Sequence, residues 1–421
     1  MLNPRDDGEA QLLAALPDAS LIEHVLLQQE VERLHGGVVG GRGDAADRVE
    51  TSKTEMMKRD ETGSPSIVSV ETVLASAQAE FNSEVVYLNT ASLGLPPRRS
   101  LDALHDVIQQ WRVGRASPPD YDAPLTAARS SYAAMVGVTP SRVAVGSQAS
   151  VFVGLVAASL PNGGEVLTVE GEFTSVLFPF LAQARRSITV REVALEHLAD
   201  EVRPTTTLVA VSAVQSADGR LADLDAIASA CADTGTRVLV DTTQAVGWLP
   251  VDASRYAYTV GGGYKWLLAP RGTCFFTVDP ELADGLIPHF AGWYAGAEPW
   301  SSIYGGPLRL ANDARRFDVS PAWHSWVGQA PSLDLLTEVG SDALHTHALG
   351  LANRFRVGVG LPAGDSAIVS VATAADAMTR MERAGVVGSL RAGRLRLSFH
   401  INNGNDDADR AVDALHGFVF E

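Results

Sequence analysis

The sequence predicts an α/β protein built on a large, mostly parallel sheet of seven strands with helices on both faces. Three observations predict it. Strand-like runs alternate with helix-like runs from about residue 142 to residue 278, the pattern of parallel strands joined by crossover helices. Two of the strand-like runs, Arg237–Asp241 and Tyr256–Val260, end in polar or glycine-rich turns that deliver an acid, Asp241, and a lysine, Lys265. The chain has 421 residues, 46% of them apolar, so two domains or one large α/β domain with an appendage are expected.

In order, residues 1 to about 65 are charged, lack aromatic residues and include the glycine-rich GGVVGGRGD of Gly36–Asp44. Ser20–Leu34 reads as a helix, with a capping box at Ser20 and Glu23 and an apolar face of Leu21, Ile22, Val25, Leu26 and Val31. The rest of 1–65 reads as a disordered extension. A start assigned too far upstream gives the same picture, because Met56 and Met57 sit just before the globular part.

Ser69–Phe81 and Arg99–Gly114 read as helices flanking VVYLNTASLGLPP (Val85–Pro97), whose two prolines suit a helix entry. A third helix is expected over Ala123–Val136. Strand Arg142–Val145 then leads through Gly146–Ser150 into an apolar helix, Val151–Leu160. Strand Glu165–Val169, helix Val176–Arg185, strands Ile188–Val193 and Thr207–Ser212, and helix Leu221–Thr234 follow. Strands Arg237–Asp241, Tyr256–Val260 and Thr273–Val278 complete the set.

A net charge of −17 argues against nucleic acid or an anionic membrane as partner. The two cysteines, Cys231 and Cys274, have no metal-ligand spacing and predict a reducing, cytoplasmic setting. No apolar run reaches the roughly 18 residues that span a bilayer, and neither a signal-peptide pattern nor an internal repeat is visible.

Of the 33 Lys and Arg residues only Lys53, Lys58 and Lys265 are lysines, and Lys265 lies inside the apolar YKWLLAP. Arg cannot replace Lys where a neutral amine must attack a carbonyl, and an apolar pocket lowers a lysine pKa to suit. In a parallel sheet the carboxyl ends of the strands share one crevice, so Asp241, Lys265 and the Gly146–Ser150 turn should converge. That turn, small hydroxyl residues before a helix, is a natural phosphate seat. An aldehyde-binding lysine, an acid for a pyridine nitrogen and a helix N-terminus for a phosphate are what pyridoxal phosphate requires.

Asp241-x-x-Gln244, then Tyr264-Lys265 about twenty residues on, then Pro270-Arg271-Gly272 resembles the class-V aminotransferase-fold enzymes that use pyridoxal phosphate. This family includes cysteine desulfurases, selenocysteine lyase, kynureninase, isopenicillin N epimerase and ergothioneine-pathway C–S lyases. The resemblance runs from about Val85 to the end, and it implies the pyridoxal-phosphate-dependent transferase fold of type I. By resemblance, Lys265 forms the internal aldimine and shuttles the α-proton, Asp241 pairs with the pyridinium, and Gln244 bonds the phenolic oxygen. Ser147 and Gln148 fall in the phosphate turn, where the usual Thr and Glu are absent. Tyr264 stands where desulfurases have His and looks like kynureninase, where a Tyr reaches the phosphate. Phe173 falls where the family stacks a ring on the cofactor, or is a core Phe. Ser212 and Ser216 fall in the segment read S-H-V-S-N in desulfurases, without its His and Asn. Tyr294, in Gly292-Trp293-Tyr294, resembles a loop that crosses a dimer interface to the partner's phosphate, or is a buried aromatic turn. Arg396, in RLRLSFHINN, matches the arginine that binds the substrate carboxylate, with Asn402 in place of the usual Tyr.

The nucleophilic cysteine of desulfurases has no counterpart in Glu382–Gly393. A C–S or other C–X lyase acting on a small amino acid is therefore expected, with transamination, epimerisation or an inactive binding protein as alternatives. Ala291–Trp323, with Arg315 and Arg316, is expected to line the substrate entrance. The resemblance also implies a homodimer, a large cofactor-binding domain over 125–335 and a small α/β domain over 336–421, with 66–124 packed beside it.

Overall fold

A computed structural model of the chain describes the backbone of residues 55–59 and 65–420, with side chains from Ser69 onward. The Ser20–Leu34 helix and the Gly36–Asp44 patch lie outside the described residues. Strands β1 (Glu55–Arg59) and β2 (Pro65–Ser69) pair antiparallel, within the stretch expected to be an extension. They flank DETGS, a sequence with turn composition, and only the second, PSIVS, carries β-branched residues. Helix α1 (Val70–Gln78) follows, capped by Ser69, whose hydroxyl accepts from Thr72 N. Next come β3 (Val86–Tyr87), α2 (Arg98–Arg112) and α3 (Asp122–Met135).

The seven expected strands are β4 (Val143–Gly146), β5 (Glu165–Val169), β6 (Thr189–Val193), β7 (Thr206–Ser212), β8 (Arg237–Asp241), β9 (Tyr258–Gly262) and β10 (Cys274–Val278). Their order across the sheet is β4-β10-β9-β8-β7-β5-β6. Only β10 runs against its neighbours. It follows β9 without a helix between, and a parallel return needs a crossover of a dozen or more residues. Helices α4 (Ala149–Ser159) and α5 (Thr174–Leu181) cover one face, while α3, α6 (Leu224–Thr234) and α7 (Trp323–Val339) cover the other. Alternate residues of one strand serve the two cores: Val238 and Val240 face α3 and α7, and Leu239 faces α4. Burial on both faces explains why these strands read as continuous apolar runs.

Two boundaries moved for local reasons. Asp223 caps α6 by accepting from Ala226 N, so the helix starts at Leu224, and Leu221 bridges to Val214 instead. Ala253–Arg255 form a 3₁₀ turn capped by Asp252, which delays β9 to Tyr258.

Beyond α7, helix α8 (Ser341–Gly358) leads to β11 (Ile368–Thr373), α9 (Ala377–Ala384), β12 (Val386–Val387), β13 (Ser389–Arg391), β14 (Arg394–Ser398), α10 (Asn405–Leu415) and β15 (Val419–Phe420). An antiparallel sheet of order β13-β14-β11-β15 packs on α8 and α10 through Leu351, Phe355, Ala411 and Leu415. β3 pairs parallel with β12, and Ser398 N donates to Leu88 O. The Asn89–Gly94 segment is thereby carried from this second sheet to the carboxyl edge of the first, where Gly94 N donates to Tyr264 O.

Candidate active site

The carboxyl ends of β4, β7, β8 and β9 meet in one cleft of about 580 Å³, open on one side. Lys265 enters it from the turn after β9. That turn needs glycine: a Cβ on Gly263 would lie 2.0 Å from Gln329 Oε1, and one on Gly94 would lie 2.1 Å from the Lys265 carbonyl oxygen. The backbone around Lys265 is thus clamped between α7 and the Asn89–Gly94 segment. The lysine side chain is 4% exposed and has no ion-pair partner among the described residues. Its amine is 5.3 Å from the Phe173 ring centre and 5.6 Å from that of Tyr264. Burial lowers its pKa from 10.5 to about 8, Arg396, Arg391 and Arg271 push the same way, and Asp241 opposes.

Asp241 ends β8, the strand beside β9, and accepts from Thr243 N at 2.8 Å. It too lacks an ion-pair partner among the described residues, and burial raises its pKa, with Glu172 adding to the rise. The cleft therefore sets an acid and an amine on neighbouring strand ends, each shifted toward its neutral form by desolvation. Gln244 sits one turn beyond Asp241. Its Oε1 accepts from Trp266 Nε1 at 2.8 Å, while Nε2 donates to Ala91 O and Ser216 Oγ.

At the other end of the cleft, Ser147 and Gln148 precede α4. Gln148 is extended and gives no side-chain cap, which leaves the first-turn N–H groups facing the cleft. Arg271 stands next to this turn because β10 pairs with β4 at Cys274–Gly146, and its guanidinium lies 5.1 Å over the Tyr264 ring. Ser212 lines the cleft, but its hydroxyl donates to Glu172 at 2.6 Å. Arg396, on β14, is 2% exposed and reaches the same region from the second sheet. Its Nη2 donates to Ser92 Oγ at 2.7 Å and its Nη1 to the Ser216 carbonyl, while Nε has no partner.

Tyr294 is not part of this cleft. Its hydroxyl donates to Asp122 at 2.9 Å beside the buried Arg129–Asp318 pair, and the ring is 5% exposed. Its place within this chain is a buried aromatic turn held by an acid on α3, and the reach to a partner's phosphate remains a proposal. Arg315 and Arg316 are likewise taken by Asp313 and Asp284, and no residue of Ala291–Trp323 lines the cleft.

Glu172, Ser92, Arg271 and Arg391 join the site without having been singled out as site residues from the sequence. Glu172, 3% exposed, accepts from Ser212 N, Ser212 Oγ and Phe173 N, so it orders the β5 and β7 ends together. Its available signal was an acid just past a strand end, as at Asp241.

The model of the family described as aminotransferase class-V matches residues 121–360. The chain belongs to the class-V aminotransferase family. Members are pyridoxal-phosphate-dependent enzymes, and so is this class-V aminotransferase. It is 27% identical to the uncharacterized aminotransferase YcbU of Bacillus subtilis over 68% of this chain and 82% of that protein. It is 28% identical to the isopenicillin N epimerase of Streptomyces clavuligerus (65% and 74% of the two chains). It is 27% identical to the kynureninase of Deinococcus radiodurans (67% and 73%). Among solved structures it is similar to a cystine C–S lyase in complex with cysteine persulfide, with a TM-score of 0.72 and 21% identity over 80% of this chain and 98% of that one. It is similar also to the cysteine desulfurase CsdA of Escherichia coli, with a TM-score of 0.70 and 18% identity over 81% and 97%. These structures share its fold, the type I fold of pyridoxal-phosphate enzymes.

The residues present fit that cofactor. The amine without a counter-ion, the buried acid without a cation and the uncapped helix N-terminus are three groups that lack partners within the described chain. An aldehyde, a protonated ring nitrogen and a phosphate would complete them. Among the described residues no helix is long and apolar enough to cross a membrane, and no His, Cys, Asp and Glu cluster is set to hold a metal.

Proposed function

We propose that this member of the class-V aminotransferase family cleaves a C–S or related bond at the β-carbon of an amino acid, without a persulfide-forming cysteine. The observation that carries the reading is Lys265 and Asp241 in one cleft with neither thiol in its lining, and Arg396 bonded to Ser216 at the cleft's edge. Pyridoxal phosphate, when bound, supplies an electron sink for the bonds at the substrate's α-carbon. Lys265 would hold the cofactor's aldehyde carbon, and its amine, with a pKa of about 8, is suited to move a proton at the substrate's α-carbon. Asp241 supplies a buried negative charge at the ring nitrogen. The first turn of α4, Ser147 and Gln148, with Tyr264, would hold the phosphate, and Phe173 would pack on the ring. Gln244 and Ser212 already hold partners within the chain, so each would exchange or share a bond to reach the cofactor. Arg396 binds the α-carboxylate as a fork, which orients the α-carbon bonds.

Cys231 and Cys274 are both buried, and burial pushes both thiols up, Cys231 to about 11. A thiol so held is a poor nucleophile, which supports expulsion of the sulfur leaving group over transfer to the protein. A second reading, epimerisation or transamination, draws on what the sequence relatives are called; both share the proton removal at the α-carbon. We assign cofactor binding to 125–335, the substrate arginine to 336–421, and a homodimer to the assembled enzyme.

Incubation with pyridoxal phosphate, borohydride reduction and peptide mapping tests the anchor, and a pyridoxyl adduct on Lys265 is expected. The lyase reading expects pyruvate and a sulfur product from cystine or cysteine S-conjugates. Racemised substrate, or a keto acid with the side chain intact, would shift the conclusion to the second reading.

A further inference from the structure

Ser92 Oγ accepts from two guanidiniums at once, Nη2 of Arg396 at 2.7 Å and Nη2 of Arg391 at 3.1 Å. The arginines lie diagonally on one face of the β13–β14 hairpin, because Arg391 is opposite Arg394 and Arg396 is two residues further on. Ala392 and Gly393, both at positive φ (47° and 77°), make the tight connection that aligns the two strands. Neither guanidinium has an acid within ion-pair distance among the described residues. Eleven other described arginines do and twelve do not, but Arg129, the other buried one, is paired with Asp318, in a chain with 50 acidic residues against 33 basic ones. Arg396 is 2% exposed with an unpartnered Nε, whereas Arg391 is exposed to solvent, and both charges push the cleft's Lys265 toward its neutral form.

Two like charges on one hydroxyl repel each other, and anions relieve the repulsion. One α-carboxylate neutralises Arg396. Arg391 is then a second cation beside the bound substrate with nothing in the chain to pair with it. We propose that the substrate carries a second anionic group on its side chain and that Arg391 recognises it. Ser92 is the pivot that holds the two guanidiniums a fixed step apart. The substrate class is an α-amino acid whose group beyond the cleaved β-carbon bond carries an acid, with aspartate and glutamate serving as binding probes. The assignment deepens the proposed function and rests on Arg396 binding the α-carboxylate.

The test compares L-aspartate and L-glutamate with L-asparagine and L-glutamine on the pyridoxal-phosphate-loaded protein, following the shift of its yellow band. The acids should bind about tenfold more tightly than the amides, the effect of one added charge-assisted hydrogen bond. R391Q, which keeps an amide donor for Ser92, should bring acids and amides to the same affinity, whereas R396Q should weaken both. An unchanged unfolding midpoint shows that R391Q is folded. Calorimetry with succinate against butyrate repeats the comparison without needing a bond to the cofactor. Succinate should bind about tenfold more tightly, and R391Q should abolish the difference. Equal binding of acid and amide, and of succinate and butyrate, or a preference that survives in R391Q, overturns the assignment while leaving the anchor at Lys265 intact. Absence of the band removes the proposed function, and the succinate comparison then still decides the role of Arg391.

Discussion

Replacing Lys265 with Met should make the cofactor-free protein more stable at neutral pH. Burial holds the Lys265 pKa at about 8 in the folded chain against 10.5 for an exposed lysine. The folded state therefore binds the proton less tightly than the unfolded state. At every pH below 8 folding carries the full cost of that mismatch, about 3 kcal/mol. As pH rises from 8 to 10.5 the proton is lost from the folded state first, and the cost fades. Met has similar length and no charge, so Lys265→Met removes the cost without a cavity. Denaturant unfolding of the apoproteins at pH 7 and pH 10 measures both arms. The variant should be stabler by about 3 kcal/mol at pH 7, with the advantage shrinking toward pH 10. The same shift makes the neutral amine at pH 7 roughly 300-fold more abundant than in a free lysine. Cofactor capture by the wild-type apoprotein should accordingly rise with pH and level off just above 8. Equal stabilities at pH 7, or a capture profile that climbs toward pH 10.5, would refute the claim that burial activates this lysine.

Other outcomes follow from the same structure. Asp318→Ala leaves Arg129 buried without its acid and frees the Val145 amide, so unfolding should be easier by about 3–5 kcal/mol with cofactor affinity less affected. Gly94→Ala forces a methyl onto the Lys265 carbonyl, an overpacking of about 1–3 kcal/mol; equilibrium titration should show weaker cofactor binding by about tenfold. If elimination needs no protein thiol, the Cys231→Ala, Cys274→Ala double variant keeps its turnover within about twofold, and iodoacetamide leaves the native enzyme active.

Most of the carboxyl-edge site was legible in the sequence. A parallel sheet lines up its strand ends, so a residue just past an apolar run enters the crevice whatever the rest of the chain does. Lys265, Asp241 and the Ser147–Gln148 turn lie in the cleft for that reason. Glycines around Lys265 marked a close approach of backbones, and the rarity of lysine marked the residue itself. Tyr294 shows the limit: an aromatic after glycines reads the same whether it meets a partner's phosphate or an acid on α3.

The tertiary structure alone decided the arginine pair. Ser92 and Arg396 are 304 residues apart, joined because β3 pairs with β12 and Leu88 accepts from Ser398. Arg391 depends on a hairpin register, and Arg271 meets the phosphate turn because β10 runs back against β4. Such placements come from pairing between distant strands, which leaves no local periodicity in the sequence. Burial is also a property of the fold: it sets Lys265 near pH 8 and leaves Arg396 without a counter-ion. The sequence by itself determined which residue types stand at the strand ends; the packing of the second sheet against the first decided which charges gather beside the cleft.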